Sequence, residues 1–78
     1  MSQILIRVED DVPAACDRLR REVERLEVAR KRITNILYPP SLAVRLGVAE
    51  VRDRAKYDGH PATPHNVVPY EIIIEYEG

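Results

Sequence analysis

Apolar and polar residues alternate at the start of the chain. Ile4, Ile6 and Val8 alternate with Gln3, Leu5, Arg7 and Glu9. A period of two in β-branched residues predicts a strand over 3–9, ending at Asp10-Asp11 before Pro13. The period then changes. Cys16, Leu19, Val23, Leu26, Arg30, Ile33 and Leu37 follow steps of three and four, the spacing of one helix face. Asp10 or Asp11 can cap such a helix, and Pro13 suits its first turn. Asp17–Arg21 and Glu27–Lys31 are acid-before-base pairs four residues apart, which support it further. Pro39-Pro40 must stop it. The spacing therefore predicts a helix over 13–37, about 37 Å long at 1.5 Å per residue.

Two readings compete for residues 41–57. As a helix, Ser41 caps, Val44, Val48, Val51 and Ala55 form a stripe, and Gly59 lies just beyond the end. As a strand, Glu50, Arg52, Arg54 and Lys56 alternate with Val51, Asp53, Ala55 and Tyr57. That would turn a basic row toward the acidic row of the last strand. Ala, Glu, Arg and Lys favour helix, so the helix is preferred. Gly59 and three prolines predict a loop over 58–69. Over 70–77, Tyr70, Ile72, Ile74 and Tyr76 share one face and Glu71, Ile73, Glu75 and Glu77 the other, a strand. The expected fold is α+β over a single domain, 1–78. Its order is β-α-α-β, with the first and last strands paired beneath a long amphipathic helix. The alternative is β-α-β-β, with 50–57 and 70–77 as a hairpin.

Composition narrows the function classes. The 78 residues (9.0 kDa) are 45% hydrophobic and 32% charged, enough apolar material to argue against disorder. With no Trp and no Phe, the core is expected to be aliphatic. No run approaches the ~20 apolar residues of a membrane span. The strand-like, early-charged start is unlike a secretory signal. The one cysteine, Cys16, excludes an internal disulfide and a Cys-rich zinc site. It lies on the helical stripe and reads as a small core residue. A cytoplasmic location, or a virion assembled in the cytoplasm, is expected. A net charge of −1 argues against a non-specific nucleic-acid binder.

Reactive chemistry is sparse. Asp58, His60 and His65 offer only three metal donors, all from one loop. No nucleophile stands at a defined spacing from either histidine, and no phosphate-cradling glycine motif is present. Catalytic residues, a metal and a cofactor are therefore not expected, and the chain is not read as an enzyme.

Association is expected instead. A two-stranded sheet is marginal alone and its edges invite another strand. Leu19, Val23, Leu26, Arg30 and Ile33 occupy heptad positions that can lie on a sheet or form a seam with a second copy. Leu5 and Ile73 interrupt the polar faces of their strands. These residues, with His60 and His65, are the partner-binding candidates. The expected function is a non-enzymatic protein–protein interaction or structural module that self-associates or docks on a larger assembly. Its size and style suit a phage or mobile-element accessory or virion protein.

Residues 42–48, Leu-Ala-Val-Arg-Leu-Gly-Val, resemble the first helix and turn of a helix-turn-helix DNA-binding motif. The resemblance implies that Ala43 packs between helices, Gly47 makes the turn, and Leu42, Leu46 and Val48 are core. A recognition helix over 50–57 would then present Arg52, Arg54 and Lys56 to the groove and phosphates. A small DNA-binding regulator is thus the alternative function.

Overall fold

The chain runs β1 (Ser2–Arg7), α1 (Val12–Val28), β2 (Arg32–Tyr38), a 3-10 turn (Pro40–Leu42), α2 (Ala43–Leu46), β3 (Ala49–Val51), β4 (Arg54–Tyr57), β5 (His60–Pro64) and β6 (Glu71–Glu77). This is a computed structural model, and it describes residues 2–8, 11–52, 54–65 and 71–78. Glu9, Asp10, Asp53 and residues 66–70, the latter part of the expected loop and the start of the expected last strand, lie outside the described residues.

The fold is α+β, with two helices and one six-stranded sheet among the described residues. The strand order is β1-β6-β2-β5-β4-β3. The first and last strands pair antiparallel from Ser2↔Tyr76 to Arg7↔Glu71. β6 also pairs antiparallel with β2, so β1, α1 and β2 form a split β-α-β unit with β6 between its strands. β2 pairs parallel with β5 over Ile36↔Ala62 to Tyr38↔Pro64. β5, β4 and β3 form an antiparallel meander.

Helix α1 starts as its residues dictate: Asp11 Oδ1 accepts a hydrogen bond from the Ala14 N–H at 3.0 Å. It stops nine residues earlier than the spacing predicts, at Val28 rather than 37. Arg30 sits in the left-handed region at φ 58. The Arg30 N–H donates to the Glu27 carbonyl, and the Lys31 N–H to the Leu26 carbonyl. That is a Schellman end, with arginine where glycine is usual. The apparent heptad continues past it for a different reason. The register of β2 against β6 shifts between Ile33↔Tyr76 and Asn35↔Glu75, a bulge that adds one residue. Ile33 and Ile36 therefore both reach the core, three apart, and imitate a helical step. Leu37 falls on the opposite side of the sheet, beside Ile73.

The region 41–65 also differs from expectation. Gly47, at φ 82, closes the four-residue α2 with a Val48 N–H to Ala43 carbonyl bond of 2.9 Å. The chain then enters β3, not a second helix. The recognition helix expected over 50–57 does not form, and Arg52, Arg54 and Lys56 belong to the β3–β4 hairpin. β4 is no neighbour of β6, so the 50–57/70–77 hairpin is absent as well. The expected loop over 58–69 contains β5. Asp58 (φ 49) and Gly59 (φ 84) form a two-residue turn between the paired Tyr57 and His60. Positive φ at both positions is the type I′ hairpin turn, for which Asp-Gly is a favoured pair.

Two prolines fit a central strand because of where their missing N–H groups point. The His65 N–H donates to the Tyr38 carbonyl at 2.7 Å, so odd-numbered residues of this segment face β2 and even-numbered ones face β4. Pro61 would face β2 just before that ladder begins at Ala62. Pro64 would face β4 beyond the end of its ladder, also at Ala62. Neither removes a ladder bond.

The core lies between α1 and one face of the sheet. Ala15, Leu19, Val23 and Leu26 of α1 pack over Ile6, Ile33, Ile36, Ile72 and Ile74. Each such aliphatic side chain contributes roughly 1.5–3 kcal/mol by burial. Cys16 packs against this cluster, its thiol 3.6 Å from the Arg45 carbonyl. The core is not wholly aliphatic, since Tyr38 is fully buried within it and Tyr57 is buried at its margin. No helix among the described residues is long and apolar enough to cross a membrane.

Candidate interaction surface

Strand alternation gives the sheet two chemically distinct faces. On the helix side stand Ile4, Ile6, Ile36, Ala55, Ala62, Ile72 and Ile74. The residues between them form the other face. Both helices pack on the first side, through Leu19, Val23 and Leu26 of α1 and Leu46 of α2. Among the described residues, no element lies across the second.

This open face carries an apolar row. Leu5 lies opposite Ile73, Ile73 opposite Leu37, and Leu37 opposite Thr63, across β1, β6, β2 and β5. Leu5 is 45% exposed, and Ile73 and Leu37 are partly exposed. A polar row runs beside it. Gln3 and Asn35 flank Glu75 in register, Gln3 Nε2 lies 3.4 Å from the Glu75 carboxylate, and Thr63 Oγ1 donates to Asn35 Oδ1 at 3.1 Å.

Charge on this face is divided. β6 contributes Glu71, Glu75 and Glu77; Arg7 stands opposite Glu71 and Arg32 opposite Glu77 in register, which leaves Glu75 between the uncharged Gln3 and Asn35, while β4 contributes Arg54 and Lys56, which flank the core-packed Ala55. Three strand spacings, about 14 Å, separate the two strands. All ion pairs found among the described residues involve α1: Arg20 and Arg21 with Asp17, Arg25 with Glu22, and His60 with Glu27. The open-face charges have no such partner there.

The residues expected to bind a partner divide accordingly. Leu5 and Ile73 are direct neighbours on the open face. Leu19, Val23 and Leu26 of α1 are buried against the sheet, and Ile33 is buried on β2 itself, so the helix–helix seam is overturned and these residues form the core. Arg30 is exposed at the end of α1. His60 begins β5 and His65 follows its last residue, about 16 Å away at strand rise. They do not converge, and His60 faces α1 through Glu27 at 3.3 Å. The sheet has six strands rather than two, so marginal pairing is no longer a reason for association. Leu37, part of the apolar row, was hidden in sequence by its assignment to the helix.

Two buried phenols set the alkaline behaviour. Burial raises the Tyr38 hydroxyl above its ordinary value, and the nearby Glu50 carboxylate, 3.3 Å away, raises it further. Burial likewise raises Tyr57, helped by Asp58 and opposed by Arg20. The folded state thus holds protons that the unfolded chain releases near pH 10. Stability from these groups is complete below that pH and is lost as pH rises through the tyrosine range. Urea midpoints should be flat to about pH 9 and fall above about pH 10. Tyr38→Phe should flatten that fall; an unchanged alkaline slope would place the buried titration elsewhere.

The chain matches no known protein-family model, no curated protein and no solved structure.

Proposed function

We propose that the protein is a non-enzymatic protein–protein interaction or structural module whose docking surface is the open face of its sheet. One observation carries this reading: Leu5, Ile73 and Leu37 are aligned in register across three strands, on the side opposite both helices. A sheet face that serves only as solvent-exposed surface is usually polar. Here an apolar row is set among charged and amide side chains, the composition of a polar-rimmed contact patch. The reading places association on this face and not on the α1 stripe, which the core consumes.

Site-specific photo-crosslinking in cells that express the protein tests it. A photoreactive residue at Leu5, on the open face, should give adducts of discrete mass. The same residue at Val44, 92% exposed on α2, should give none. Absence of any adduct at Leu5, or equal labelling at both positions, would count against the open face as the docking surface.

A further inference from the structure

We infer that the occupant of the open face is a second copy of this chain, packed sheet to sheet about a two-fold axis; the inference rests on the docking reading above. The sheet order β1-β6-β2-β5-β4-β3 has its midline between β2 and β5. β6 and β4 lie at equal distances on either side of that midline, as do β1 and β3. A two-fold axis along the strands, above the midline and between two stacked sheets, sets each β6 over the partner's β4. Both sheet faces then overlap across their whole width.

The charges match under this operation. Such an axis preserves height along the strands. Glu75 is level with Asn35 on β2, and Lys56 is level with Pro61 on β5. Asn35 and Pro61 each lie one residue before the paired Ile36 and Ala62. Glu75 therefore faces the partner's Lys56, and by symmetry the contact occurs twice. One step along, Ile73 faces the aliphatic stem of the partner's Arg54, and Leu37 meets the partner's Thr63 near the axis. Sheets stack about 10 Å apart, a gap that long Glu, Lys and Arg side chains span. Glu75 and Lys56, which form no ion pair among the described residues, supply each other's counter-charges. An isologous interface of this kind demands a surface complementary to itself, and Glu75 on one side of the midline with Lys56 level with it on the other meets that demand.

At about 4.8 Å per strand spacing the six strands span about 24 Å, and under this axis every strand of one copy lies over a strand of the other. The contact is partly electrostatic, so it weakens with salt.

Sedimentation equilibrium with charge exchange tests the inference. The wild-type chain should sediment as a dimer at low salt and shift toward monomer between ~50 and ~500 mM NaCl. Lys56→Glu sets two carboxylates against each other at each symmetric contact, and Glu75→Lys sets two cations; each should weaken the dimer at least ~10-fold. The double variant Lys56→Glu/Glu75→Lys restores opposite charges and should recover most of the affinity. Circular dichroism melts check that each variant remains folded. A wild-type monomer at ~500 μM, far above the micromolar range of specific association, would overturn the inference. So would a dimer indifferent to the single changes, or one not rescued by the double change. A monomer whose Leu5 adducts carry a different protein would sink self-docking and leave the docking surface intact, whereas absence of adducts would sink that surface itself.

Discussion

Leu26→Asp is expected to unfold the protein, and Val28→Asp to leave it unchanged. The two positions are two residues apart on α1 and differ in what they touch. Leu26 is 3% exposed and belongs to the core cluster; Val28 is 85% exposed. At Leu26 the substitution removes a packed aliphatic group, which costs about 2–5 kcal/mol. It also places a carboxylate in an apolar layer that holds no buried charged residue among the described residues, which adds several kcal/mol or forces its protonation. A small domain has about 5–15 kcal/mol of stability in total, so the sum consumes most or all of it. At Val28 the expected change is within about 0.5 kcal/mol. Thermal melts followed by circular dichroism, with proton NMR dispersion as a second probe, separate the two. A folded, monomeric Leu26→Asp would mean that the stripe serves a seam between helices and that its packing on the sheet is wrong.

Those two residues also show what the pattern along the chain could reveal. The stripe Leu19, Val23, Leu26 was legible as one helix face because side chains three and four apart overlie each other. The alternations at Ile4, Ile6, Val8 and at Ile72, Ile74, Tyr76 were legible as strands, and Leu5 and Ile73 stood out as apolar residues on otherwise polar faces. Three features hid the rest. The Schellman end at Arg30 uses a residue with no helix-stopping signature. The bulge in β2 gives Ile33 and Ile36 helical spacing within a strand. The Asp58-Gly59 turn lies among prolines that suggest a loop, although it is a hairpin signal once Tyr57 and His60 are read as paired ends. The site suffered from the same causes. Its Leu5–Ile73 half depends on the two legible strands. Leu37 joins it through the β2–β6 pairing, which the helical reading of 33–37 concealed, and Arg54 and Lys56 only through the β2–β5 pairing, a long-range parallel contact that no local pattern announces.

That pairing also joins the two halves of the sheet, and Thr63→Pro is expected to break it. β2 and β5 pair through only three residue positions, from Ile36↔Ala62 to Tyr38↔Pro64, and this is the one join between β1-β6-β2 and β5-β4-β3 within the sheet. Thr63 is the middle position, opposite Leu37. As an odd-numbered residue it turns its N–H toward β2, as His65 does when it donates to Tyr38. Proline there deletes a donor inside the ladder, unlike Pro61 and Pro64, and leaves a β2 carbonyl without its partner. The unmet carbonyl alone costs about 1–3 kcal/mol, and the ring's clash with the neighbouring strand adds to it. The loss should be local before it is global. In hydrogen exchange, amides of β4 and β5 should lose protection by at least ~10-fold, while those of α1, β1 and β6 retain most of theirs. The dimer should weaken in parallel, because Arg54 and Lys56 are then no longer held at a fixed distance from β6. Uniform loss of protection would show that the two halves of the sheet open as one unit. Unchanged protection would show that the parallel seam does not hold them together.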